Sequence, residues 1–113
     1  MTATIIDTAT FTELQETAGA DFVDELATTF VQEAPDMMAE IERALAAGDA
    51  VAFKRAAHSL KSNANTFGAL TLGEMARTLE LQGPPAAADG SALPALADEF
   101  ARVAAALEAL RHG

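Results

Sequence analysis

Glycine and proline cut this chain into lengths that each suit one helix. Gly19, Gly48, Gly68 and the run Gly83-Pro84-Pro85 separate segments in which apolar residues recur every three or four positions. That recurrence marks one buried helical face, and the breakers mark where each helix must stop. Thr10 with Glu13, and Thr71 with Glu74, have capping-box spacing and predict helix starts near residues 10 and 71. From about Ala20 to Ala47 the stripe reads Val23, Leu26, Phe30, Ala34, Met37, Ile41, Ala44 and Leu45. Pro35 falls inside it and removes a backbone hydrogen bond, which predicts a kink or two abutting helices. Further helices are predicted over about 50–67 and 71–82. A last one follows Ser91, with Leu93, Leu96, Phe100, Val103, Leu107 and Leu110 in one seam.

Four substantial amphipathic helices with short connections predict an all-α fold, an antiparallel up-down-up-down four-helix bundle, with a short additional N-terminal helix. With 113 residues the chain has room for one core, so 1–113 reads as a single domain. Residues 1–9 are expected to be flexible, and 83–90 form the one clear loop. Composition agrees: 28 residues are alanine, only six are aromatic, and all six are Phe. Alanine favours helix, and its small side chain lets helices approach closely.

Charge and cysteine content exclude several functions. A formal charge of −10 argues against nucleic acid and anionic membranes, which select basic surfaces. There is no cysteine, hence no disulfide, thiol nucleophile or cysteine-ligated zinc. Two histidines far apart give no zinc ligand set, and phosphate-loop, dinucleotide and hydrolase motifs are absent. The N-terminus lacks the pattern of a secretory signal, and no apolar run reaches 18 residues, so a cytoplasmic protein is expected.

One segment differs from the rest. From Ala50 to Gly73 there is no acid, although the chain has 17, and three of its seven Lys and Arg residues lie there. Projected at about 100° per residue, Phe53, Ala57, Leu60, Ala64 and Phe67 form a core stripe. Lys54, His58, Lys61, Ser62 and Asn65 gather on the other side, with Arg55 at the edge. An exposed histidine is most often an ordinary surface residue, and His112, near the C-terminal end, is read that way. Around His58, however, cations disfavour imidazolium and would hold an attached dianion. A phosphoryl group requires both a neutral nitrogen and nearby cations.

The run Ala57-His58-Ser59-Leu60-Lys61-Ser62-Asn63-Ala64-Asn65-Thr66-Phe67-Gly68-Ala69 closely resembles the signature of histidine-containing phosphotransfer (HPt) domains. In that signature an aliphatic residue and Lys follow the His, then small residues, then an apolar residue and Gly nine and ten positions on. The segments FVQEAPDMMAEIERALAAGD and LGEMARTLE also look like the family. The resemblance implies a phosphocarrier that accepts a phosphoryl group on His58 from a receiver-domain aspartate, or from a histidine kinase or hybrid kinase. It would then pass the group to a response-regulator aspartate. Lys61 would stabilise the phosphoryl group or orient the partner. Lys54, Arg55, Ser62 and Asn65 would meet the partner, while Ala64, Phe67 and Gly68 would shape the helix beneath. Asn63 departs from the small residue common at its position, but it projects away from His58. No catalytic apparatus and no cofactor of its own are expected, Mg²⁺ belonging to the partner receiver, and a monomer is expected. The alternative is a non-catalytic helical adaptor that binds receiver domains through the same face.

Overall fold

The computed structural model describes residues 5–88 and 90–112, with side chains through Leu110. Among these residues five α-helices follow in order: α1 (Thr8–Ala18), α2 (Ala20–Ala47), α3 (Ala50–Thr66), α4 (Leu70–Gln82) and α5 (Ala92–His112). A single 3-10 turn, Pro84–Ala87, lies within the connection expected at 83–90, and its Ala87 is buried. No strand occurs among the described residues.

The glycine breaks work as left-handed or otherwise positive-φ positions. Gly48 ends α2 at φ 68°, its N–H returning to carbonyls of the last turn, and Asp49 immediately caps α3 by accepting the Ala52 N–H at 3.0 Å. Both capping-box expectations need correction. The N-cap of α1 is Asp7, whose carboxylate accepts both the backbone N–H and the hydroxyl of Thr10, so the helix starts at Thr8. A carboxylate is the stronger acceptor at a helix N-terminus and takes the role from Thr10. Helix α4 begins at Leu70, and no side-chain cap bond is made by Ala69 before it. The segment expected to be flexible through residue 9 is anchored from Ile6 onward. Ile6 is buried, and the Asp7 N–H donates to the Gly68 carbonyl at 2.8 Å. Residues 1–4 lie outside the described residues, as does the side chain of His112.

Helix α2 runs unbroken through Pro35, so it is not split in two. It packs on α3, α3 on α4, α4 on α5, and α5 returns to α2, while α1 lies against α2 and α3. The enclosed core contains the stripes read from the sequence. Phe53, Ala57, Leu60, Ala64 and Phe67 of the α3 stripe are buried, facing Val23, Phe30, Ile41, Leu72, Ala76, Leu96, Phe100, Val103 and Leu107. Phe30 stands between two rings, 5.4 Å from Phe67 and 5.2 Å from Phe100, offsetting an alanine-rich core with aromatic volume. Among the described residues Glu99 is the buried charged exception, and it accepts from the Arg102 guanidinium at 2.9 Å.

Candidate functional site

Helix α3 presents His58 because its opposite face is committed to the core. Ala57, Leu60 and Ala64 are fully buried, whereas the His58 side chain is 58 % exposed. The ring is nevertheless held. Its Nδ1 lies 2.7 Å from Oε2 of Glu80, on α4. The other oxygen of the same carboxylate lies 2.6 Å from the ammonium of Lys61. One carboxylate thus joins the histidine and the lysine one turn beyond it.

Glu80 corrects the expectation of a purely cationic surround. The segment from Ala50 to Gly73 is free of acids, but packing of α4 supplies one from outside it. His58 meets Glu80 while Asn65, two turns further along α3, meets Gly73, two turns back along α4; the two helices therefore run in opposite directions. The Lys61 ammonium holds the Glu80 carboxyl below its usual range, the His58 contact adds to this, and partial burial opposes both. Glu80 is therefore ionised near neutral pH.

Glycine makes room for the polar edge of α3. A Cβ at Gly73 would fall 2.1 Å from the Asn65 side-chain oxygen, so Asn65 lies across α4 only because position 73 has no side chain. At Gly83 a Cβ would come 3.0 Å from Cε of Lys54, whose stem crosses the end of α4 there. Lys54 thus places its ammonium at the carboxyl terminus of α4, where the helix dipole favours a cation. Ser62 is exposed and its carbonyl accepts the Thr66 hydroxyl at 2.8 Å. Asn63 bonds back to the Ser59 carbonyl at 2.9 Å, directed along its own helix rather than at the ring.

Arg55 goes elsewhere. It lines a groove between α2 and α3 with Arg43 and Ser59, on the side of α3 away from Glu80. Ala64 and Phe67 lie in the core, and Gly68, at φ 83°, turns the chain where an added Cβ would meet the Asp7 carbonyl at 2.8 Å. The structure therefore brings His58, Lys61 and Glu80 together, sets Lys54 and Asn65 along the α3–α4 seam, and places Arg55 on the α2 side of α3. Sequence reasoning missed Glu80 and the notch at Gly73. A glycine inside a helix was the available signal for close packing, but its partner helix and register were not. Among the described residues no cluster of His, Asp and Glu is arranged to hold a metal ion.

The Hpt domain profile matches residues 25–113. Over 107 residues the chain is 33 % identical to the sensor protein TorS of Escherichia coli (strain K12), covering 95 % of this chain and 11 % of that much longer protein. The fold is similar to the crystal structure of histidine-containing phosphotransfer protein B (HptB) from Pseudomonas aeruginosa PAO1. That likeness has a TM-score of 0.81 and 30 % identity, over 98 % of this chain and 97 % of the other. The chain belongs to the Hpt domain family.

Proposed function

We propose that His58 is the phosphoacceptor and that Glu80 and Lys61 complete its site. The observation that carries this is the ring held at Nδ1 by a carboxylate while the side chain remains exposed. Two bare acceptors would repel at 2.7 Å, and Glu80 is ionised, so the proton lies on Nδ1. In the neutral ring Nε2 then carries the lone pair. That lone pair attacks phosphorus, and the Nε2–P bond forms as the bond from phosphorus to the donor oxygen breaks. The ring becomes cationic with its Nδ1 proton retained, and the Glu80 carboxylate compensates that charge. Return of the phosphoryl group to a receiver aspartate reverses each change and leaves a neutral imidazole. Lys61 stands one turn away to meet the phosphoryl oxygens.

The ring of contacts among α2, α3, α4 and α5, with short connections, supports an antiparallel up-down-up-down bundle as the scaffold. On this reading the protein is a monomeric cytoplasmic carrier without catalytic apparatus or cofactor of its own. Its partners are receiver domains, which bring the aspartate and Mg²⁺, and a histidine kinase or hybrid kinase. No described helix is long and apolar enough to cross a membrane. Incubation with a phosphorylated receiver and Mg²⁺ should give an acid-labile, base-stable label on the wild type and none on His58→Gln. A label that persists in His58→Gln would overturn the assignment. Receiver binding without any label on the wild type would instead favour an adaptor.

A further inference from the structure

Among the described residues, the cations of this acidic protein divide sharply by environment. Lys61, Arg77 and Arg102 lie in ion pairs, with Glu80, Glu74 and Glu99 respectively. Lys54 lays its stem across Gly83. Arg43 of α2 and Arg55 of α3 remain, and both line the same groove, of about 480 Å³, between these helices. Neither guanidinium lies within ion-pair distance of a carboxylate among the described residues, although Glu40 and Asp49 line the groove too. The carboxylate of Asp49 is engaged as the cap of α3.

The floor between the two arginines is formed by alanines, Ala44 and Ala52 among them, and Ser59 continues the groove to the residue beside His58. Small side chains between two helices let a third helix settle closely. Guanidinium forks are suited to paired recognition of carboxylates, and fixed cations on a negative protein give local attraction to an acidic surface. On the other side of His58, the Glu80–Lys61 pair already fills the α3–α4 seam.

We infer that the α2–α3 groove is the docking ledge for the phosphotransfer partner, and that Arg43 and Arg55 select a partner helix bearing carboxylates on its exposed face. This rests on the phosphocarrier reading. A partner whose aspartate reaches Nε2 must bury the surface beside His58, and a standard interface of roughly 800 Å² per partner is wide enough to include the groove.

The test uses the receiver domain that transfers fastest to the wild type in a phosphotransfer profile. Arg43→Glu, Arg55→Glu and the double variant are compared with Arg77→Glu, which changes net charge as much as either single variant but lies on α4. Each groove variant should raise KM about threefold and the double variant about tenfold, with kcat held and a shallower dependence on NaCl concentration. Arg77→Glu should change KM by less than roughly twofold. Phosphoramidate, a small donor that needs no docking surface, should label His58 equally in all four variants. An unchanged KM in the double variant, or an equal loss in Arg77→Glu, overturns the ledge while leaving the His58 assignment intact. Failure of every receiver and of phosphoramidate to label His58 overturns both.

Discussion

Oε2 of Glu80 lies 2.7 Å from Nδ1 of His58, although the two residues are 22 positions apart in the chain. The same carboxylate holds Lys61 at 2.6 Å, so the candidate phosphoacceptor and its cation share one anionic partner on the neighbouring helix. This arrangement holds the histidine ring and the lysine on one carboxylate.

If Glu80 fixes the tautomer, its replacement should move the ring proton. Glu80→Ala is expected to slow phosphoryl acceptance about ten- to a hundredfold, and Glu80→Gln, which keeps an acceptor oxygen, by less. Nitrogen-15 NMR of the imidazole supplies a readout that a merely structural role leaves unmoved. The wild type should show Nδ1 protonated, whereas Glu80→Ala should shift toward the Nε2-protonated form.

Glu80 also makes a pH prediction whose sign is fixed. Its carboxyl titrates below the ordinary value of 4.5 because of Lys61 first, with His58 assisting and burial opposing. A carboxylate depressed in the folded state contributes stability above its unfolded value and loses it as pH falls through the folded one. The Tm difference between wild type and Glu80→Gln should be constant above about pH 5 and shrink progressively under more acidic conditions.

Two glycines with similar backbone angles should differ in cost. Gly68 and Gly48 have φ of 83° and 68°, but a Cβ at Gly68 would strike the Asp7 carbonyl at 2.8 Å, whereas at Gly48 nothing lies within 4 Å. Gly48→Ala should cost about 1 kcal/mol in urea unfolding, from backbone conformation alone. Gly68→Ala should cost more, about 2–3 kcal/mol, and speed hydrogen exchange at the Asp7 amide, whose bond to the Gly68 carbonyl would be displaced.

Phe30 packs tilted against Phe67 and stacks on Phe100, joining α2 to the end of α3 and to α5. Phe30→Ala should destabilise the fold by about 3–5 kcal/mol in urea unfolding. Measured per folded molecule, phosphoryl acceptance at His58 should remain near the wild-type rate, since the stack lies in the core and not at the exposed ring.

The sequence by itself determined which residues form helices, which face of each is buried, and that His58 stands on the polar face of α3 with Lys61 one turn away. These are local properties. Helical periodicity relates positions three and four apart, and glycine stops act where they occur, so both can be read along the chain. Competition between local signals was harder to resolve, as when Asp7 displaced Thr10 at the N-terminus of α1. Only the tertiary structure decided that a carboxylate enters the acid-free segment, that Arg55 faces the groove between α2 and α3 on the side of α3 away from Glu80, and that the N-terminal segment is anchored through Asp7 and Gly68. Each of these depends on the register of one helix or segment against another. That register is set where surfaces interlock, here by the side-chain-free notch at Gly73 that receives Asn65 and aligns Glu80 with His58.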